Sequence, residues 1–183
     1  MSGSLILAIS DSHGDAAAVI TALKWAQSAG IDAAVFLGDG CEDLSLASAR
    51  VGFTLPWHAV RGNGDFNFSV PDNKVLEIPG KNPALYPVRK FFLSHGNRYH
   101  VREGYKTIAA AARNAGAEAA LFGHTHVPYC ATVDGIFLLN PGSISRPRSN
   151  TGCTFAVLEC PGTGPLAARF YRLRGGKGIV EAC

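Results

Sequence analysis

The sequence lacks the features that mark membrane, secreted and disulfide-stabilised proteins. No apolar run approaches the length needed to cross a bilayer, and the first residues lack the basic segment and long apolar stretch of a signal peptide. The five cysteines are odd in number, irregularly spaced and without a CxxC pair, which argues against a disulfide framework or a structural zinc knuckle. We therefore expect a soluble cytoplasmic protein with reduced cysteines and no membrane partner.

Long linkers, internal repeats and dense blocks of one charge are also missing. The chain has 183 residues, of which 47% are hydrophobic and 17% charged, as is typical of one compact domain over residues 1–183. The net charge is +3, spread along the chain, so no segment argues for polyanion binding by itself. This mild basicity suits an anionic substrate.

Apolar runs alternate with amphipathic stretches in the first two thirds of the chain. Residues 5–9 predict a strand buried on both faces, and residues 15–29 predict a helix with Asp15 as its N-cap. After residue 126 strands dominate, and Asp134-Gly135 predicts a hairpin turn. The pattern predicts an α/β domain, which some schemes would class as α+β. We also predict strands at 33–37, 57–61, 74–78, 85–88, 91–93, 119–122, 130–133, 136–139, 154–158 and 166–173, and helices at 42–51 and 102–115.

Polar clusters follow five of these strands within two or three residues. Carboxylate, carboxamide and imidazole groups are donors that borderline divalent cations prefer. Because ligands bind outside the carboxyl ends of strands, we expect all five clusters at one edge of a sheet, forming a two-metal hydrolytic site. A single cluster of this kind is usually only a turn, so the prediction depends on the combination. The clusters are Asp11-Ser12-His13, Gly38-Asp39, Gly62-Asn63, His95 and Gly123-His124-Thr125-His126.

The last cluster is the most specific. Two histidines at positions i and i+2 of an extended segment point to opposite sides, so His124 and His126 could serve two different metals. A strand with incidental histidines is the alternative interpretation.

The ordered pattern D-x-H, GD, GN, H and GHxH resembles the calcineurin-like metallophosphoesterases, in particular the small single-domain phosphodiesterases of bacteria and archaea. The resemblance covers residues 5–148 and implies a four-layer α/β/β/α sandwich of two mixed sheets. By this resemblance Asp39 would bridge two metals. Asp11, His13 and His126 would hold the first metal, and Asn63, His95 and His124 the second.

The same resemblance implies a phosphodiesterase that hydrolyses small or activated diesters by attack of a metal-bridging hydroxide. The catalytic residues would be Asp39, Asn63 and His124, and each metal lowers the pKa of bound water and neutralises phosphoryl charge. Manganese is the expected metal, while nickel, iron, zinc, cobalt and magnesium are compatible with the same donors.

Further candidates flank these motifs. Arg61, Arg146 and Arg148 could contact a substrate phosphate, or could be solvated surface residues. Asp65 is expected to orient a histidine ligand or loop amides, with loop capping as the alternative. Gly64 stands where larger relatives have a histidine that protonates the leaving oxygen, so diesters with activated aryl leaving groups are favoured.

Two other function classes stay open. One eukaryotic member of this branch, the retromer subunit vacuolar sorting protein 29, is mainly a protein-binding scaffold, although it lacks part of the ligand set. A metal-dependent nuclease is less favoured, because it would need a basic groove lined with aromatics that the sequence does not show. Assembly into a homo-oligomer also stays open.

Overall fold

Two β-sheets and three α-helices make up the part of the chain that the structure, a computed structural model, describes: residues 3–79, 88–174 and 178–182. Within these residues no helix is both long and apolar enough to cross a membrane. A short 3₁₀ helix covers Asn97–Tyr99. The helices are α1 (Ala16–Ser28), α2 (Cys41–Val51) and α3 (Lys106–Asn114). The strands are β1 (Ser4–Ile9), β2 (Ala33–Phe36), β3 (Trp57–Ala59), β4 (Asn73–Ile78), β5 (Arg89–Ser94), β6 (Ala119–Leu121), β7 (Pro128–Val133), β8 (Ile136–Pro141), β9 (Thr154–Cys160), β10 (Ala167–Arg174) and β11 (Gly178–Ala182).

Both sheets are mixed. The six-stranded sheet has the order β11-β10-β9-β1-β2-β3, and the five-stranded sheet has the order β4-β5-β6-β8-β7. Strands β1, β2 and β3 are parallel to one another, as are β5, β6 and β8, while all the other pairings are antiparallel. The parallel strands are interior strands of each sheet except β3, which is an edge strand.

Side chains alternate between the two faces of each strand, and this divides the apolar core into three layers. In β1, Ile6 and Ala8 face the second sheet, whereas Leu7 and Ile9 pack under α1 and α2. In β6, Ala120 faces α3, and its neighbours Ala119 and Leu121 face the first sheet. The result is the expected four-layer α/β/β/α sandwich.

The predicted element boundaries are mostly close to the observed ones. Asp15 caps α1, since its side chain accepts a hydrogen bond from the Ala18 amide at 3.0 Å. The predicted helix at 102–115 is too long at its start, because Gly104 has φ +159°, outside the helical region, and α3 begins at Lys106. Strand β11 was not predicted, and residues 85–87 of the predicted strand at 85–88 lie outside the described residues.

Candidate metal centre

The predicted donors follow the carboxyl ends of strands from both sheets. The loops after β1, β2 and β3 of the six-stranded sheet carry Asp11 and His13, then Asp39, then Asn63. The loops after β5 and β6 of the five-stranded sheet carry His95, His124 and His126. The expectation of a single sheet edge was therefore wrong: the candidate centre lies where the edges of two packed sheets meet.

Asp11 lies at the middle of the cluster. Its side chain is fully buried, and its Oδ1 atom has no hydrogen-bond partner. Three imidazole Nε2 atoms surround that oxygen, at 3.2 Å from His126, 3.8 Å from His13 and 3.9 Å from His95. A buried carboxylate oxygen without a partner is costly, and a cation among these nitrogens would satisfy it.

The tautomers of His95 and His126 are set by backbone carbonyls. His95 Nδ1 donates to Leu37 O at 2.7 Å, and His126 Nδ1 donates to Arg146 O at 2.6 Å. When either ring is neutral, its Nε2 atom therefore keeps its lone pair and faces the cluster. This is the arrangement by which proteins orient metal-binding histidines.

Asp39 lies between His13 and His95. Its Oδ2 is 3.8 Å from His13 Nε2 and 3.5 Å from His95 Nε2, while its Oδ1 accepts a hydrogen bond from the Gly64 amide at 2.6 Å. Burial alone would raise the pKa of Asp39, but the interactions with His95, Gly64 and His13 outweigh it and lower the pKa to about 2. Asp39 is thus a carboxylate at neutral pH.

The more accessible histidines are neutral imidazoles. Burial, helped by the proximity of His95, lowers the pKa of His124 to about 4, and burial also lowers the pKa of His13. The Nδ1 atom of His124 is 3.3 Å from His95 Nε2, and His13 Nε2 is 3.1 Å from His126 Nε2. Among the residues that the structure describes, two sets of side chains could hold a metal ion: Asp11 with His13 and His126, and Asp11 with Asp39 and His95.

Unusual backbone geometry concentrates in this cluster. Among the described residues seven non-glycine residues have positive φ, and five of them are predicted ligands: Asp11, His13, Asp39, His124 and His126. Residues in sparsely populated backbone regions cluster at functional sites, where the surrounding structure holds them. The φ values of +69° for His124 and +60° for His126 also show that the Gly-His-Thr-His segment is not extended. The sequence-based prediction that these two histidines lie on an extended segment was therefore wrong. The two imidazoles nevertheless face different partners, His95 and His13.

Asp65 holds two of the site loops together. Its Oδ2 accepts hydrogen bonds from the amides of Asp39 and Gly62, and its Oδ1 accepts from those of Gly40 and Cys41, all at 2.8 to 2.9 Å. Of the roles predicted for Asp65, the structure shows bonds to loop amides. The loops after β2 and β3 are thereby fixed relative to each other.

Two supporting groups were not assigned a role from the sequence. Ser143 Oγ donates to Asp11 O at 2.7 Å, and the buried Asn140 side chain donates to Gly123 O at 2.8 Å. Both belong to the Asn-Pro-Gly-Ser segment at 140–143, where β8 ends. A side-chain contact between separate loops leaves no local signal in the sequence.

The remaining predicted site residues lie around the cluster. The Asn63 side chain is exposed, in the loop between Gly62 and Gly64. Arg146 is exposed and its Nη2 donates to His13 O at 3.0 Å, which places it beside the cluster. Arg148 is exposed and contributes its amide to His126 O at 3.1 Å. Arg61 pairs with Asp72 at 2.7 Å and its guanidinium lies 4.7 Å from the Phe68 ring centre.

A cavity of about 420 Å³ opens beside these groups. Its walls carry His13, Asp39 and Arg146 together with the first residues of α2 and the loop after β3. This volume is within the usual range for a small-molecule site. A larger cavity of about 760 Å³ lies elsewhere, against Gly3, Asp32 and Pro161, and contains none of the predicted ligands.

The comparisons with known proteins decide the family. A family model described as the calcineurin-like phosphoesterase superfamily domain matches residues 5–163. The chain belongs to this superfamily. A similar superfamily protein is the probable metallophosphoesterase YsnB of Bacillus subtilis, 28% identical over 94% of this chain and 93% of the relative. Phosphodiesterase YfcE of Escherichia coli is 32% identical over 55% of this chain and 51% of its own length.

Solved structures of other proteins share the fold. A conserved uncharacterized protein of Streptococcus pneumoniae, titled a predicted phosphoesterase, has a TM-score of 0.77 and 25% identity, covering 100% of this chain and 99% of that one. Vps29 of Entamoeba histolytica complexed with zinc has a TM-score of 0.74 and 23% identity, covering 97% and 98%. The second likeness shows the fold alone.

Proposed function

We propose that this chain is a phosphodiesterase that uses two divalent cations, with manganese the expected metal. The observation that carries the proposal is the buried Asp11 Oδ1 atom, which has no hydrogen-bond partner and faces three imidazole nitrogens within 3.9 Å. When bound, the cations would supply a water of lowered pKa and neutralise charge on the phosphoryl oxygens. Asp11, His13 and His126 would hold one, His95, His124 and Asn63 the other, and Asp39 would contact both.

The chain's own residues favour esters with activated leaving groups. Gly64 has no side chain that could protonate a leaving oxygen beside Asp39, and general acid assistance is typically worth about 10² to 10⁴-fold. Substrates whose leaving group needs no proton, such as aryl esters, are then turned over fastest. Arg146 lies on the cavity wall, where it can contact a phosphate with its guanidinium.

The charges of the cavity argue against the nuclease alternative. Asp39, Glu42, Asp43 and Asp65 line it, and Arg146 is its one cationic side chain among the described residues. A polyanionic strand would meet repulsion along this wall rather than a basic groove. The scaffold alternative has the support of the fold likeness only, since the full donor set is present here.

The test is hydrolysis of bis(p-nitrophenyl) phosphate and p-nitrophenyl phosphate by metal-stripped protein to which Mn²⁺ or Ni²⁺ is added back. We expect metal-dependent turnover that favours the diester and is lost in Asp39→Asn. Asp134→Asn is a matched control, because Asp134 also has positive φ, +49° against +58° for Asp39, but lies in the β7–β8 turn. Silence with every metal, despite two ions bound per chain, would overturn the proposal and favour the scaffold.

A further inference from the structure

Phe66 is an exposed aromatic side chain on the wall of the candidate active-site cavity. Its side chain is 83% exposed, and the cavity it lines also contains Asp39 and Gly64. The amide of Gly64, two residues away in the chain, donates to Asp39 Oδ1. The phenyl ring is therefore joined to the candidate metal centre through a short, hydrogen-bonded loop.

A second exposed phenylalanine provides a comparison. Phe68 is 78% exposed, close to the value for Phe66, but the Arg61 guanidinium lies over its ring and it does not line the cavity. Among the described residues no ring and no cation is stacked on Phe66. Its apolar face is thus available to whatever enters the cavity, and covering it would be favourable.

We propose that Phe66 is a specificity-determining residue, which stacks on a planar aromatic arm of the substrate diester. This inference rests on the proposed function, because the diester phosphate must be held at the Asp39 side of the cavity for its arm to reach Phe66. A volume of about 420 Å³ suffices for one phosphate and one ring.

The cavity walls favour a neutral ring over a second phosphate. Glu42 and Asp43 lie on the same cavity as Phe66, and Asp43 is fixed there by bonds from Ser12 Oγ at 2.6 Å and the Gly14 amide at 2.8 Å. A substrate arm with another negative charge would be repelled by these carboxylates. The substrate class is therefore a diester with one phosphate and an uncharged aromatic arm.

The test compares diphenyl phosphate with dimethyl phosphate, which share the charge of the phosphate and differ in the ring. Both serve as competitors in initial-rate hydrolysis of bis(p-nitrophenyl) phosphate by the Mn²⁺-loaded protein, and if this protein hydrolyses no diester, both are titrated into it by calorimetry. We expect the wild type to prefer diphenyl phosphate, and Phe66→Ala to lose about tenfold of that preference with unchanged dimethyl phosphate affinity. Phe66→Trp should keep the preference, and Phe68→Ala should behave as the wild type.

The outcomes separate this inference from the proposed function. An equal loss in Phe66→Ala and Phe68→Ala, or a preference unchanged by Phe66→Ala, overturns the role of Phe66 while leaving diester hydrolysis intact. Ring binding that depends on Phe66 in a protein that hydrolyses no diester supports the role of Phe66 and contradicts the proposed activity.

Discussion

Replacing Asp65 by asparagine should destabilise the loops that carry the candidate metal ligands. The carboxylate accepts four backbone hydrogen bonds, two at each oxygen. Asparagine keeps the shape and one accepting oxygen, but its NH₂ group faces two amide donors that it cannot accept from. Two hydrogen bonds to a charged group are lost, each worth roughly 1.5 to 3 kcal/mol.

We expect the free energy of unfolding to fall by about 3 kcal/mol, which is the lower value of roughly 1.5 kcal/mol for each of the two lost bonds, because Asp65 is only partly buried and water can reach it. Metal affinity should also fall, by roughly 10 to 100-fold, since the amides of Asp39 and Gly62 are no longer fixed by one carboxylate. Urea unfolding of the metal-free variant measures the first effect, and metal titration of the folded variant measures the second.

Asp72→Asn is the matched control. Asp72 pairs with Arg61 at 2.7 Å and with Arg98 at 2.8 Å near the surface, where such ion pairs are worth roughly 0 to 1 kcal/mol. If Asp65→Asn lowers the free energy of unfolding no more than Asp72→Asn does, the four amide hydrogen bonds of Asp65 do not hold the loops after β2 and β3 together.

Two further substitutions test the immediate surroundings of Asp39. Gly62→Ala should lower diester turnover at least 100-fold in a folded protein. The reason is that the new Cβ would lie 2.6 Å from the Asp39 amide nitrogen and would clash with Asp39 Oδ1. Turnover equal to that of the wild type would contradict this prediction. Gly64→His should raise the turnover of alkyl diesters relative to aryl diesters by supplying a proton to the leaving oxygen, measured as the ratio of the two kcat/KM values. An unchanged ratio would show that the missing acid does not determine the choice of substrate.

The order of elements and the position of the donors could be predicted from the sequence, because both are written in local patterns. The apolar run of β1 and the Asp15 cap of α1 are examples, and each polar cluster follows its strand as expected. The division of the donors between two sheets could not be predicted from these patterns. Strand order depends on which apolar faces pack together, and runs such as Ile6–Ile9 are compatible with several neighbours.

The backbone conformation of the donors also could not be predicted from the sequence. The sequence places glycine beside most donors, and Gly38 and Gly96 have positive φ, but donors such as Asp39 and His126 have positive φ as well. Aspartate and histidine are among the residues that adopt this conformation more readily, yet only surrounding contacts can impose it. Those contacts, such as Ser143 on the Asp11 carbonyl, join residues 132 positions apart.

Four of the donors share one feature that explains how a buried polar cluster can exist before a cation enters. Asp11, Asp39, His95 and His126 each have one side-chain atom bonded to the protein and another that faces the cluster. Asp11 Oδ2 accepts from Ser10 Oγ and from the His124 amide, and Asp39 Oδ1 accepts from the Gly64 amide. His95 Nδ1 donates across to Leu37 O of the other sheet. The bonds from the His124 amide to Asp11 and from His95 to Leu37 O join loops of the two sheets. Together these bonds orient the donors in advance and leave Asp11 Oδ1 and the Nε2 atoms of His95 and His126 for a metal. The same bonds imply that Asp11→Asn should weaken metal binding far more than it weakens folding, because asparagine can keep its oxygen on the His124 amide while losing the negative charge at the centre.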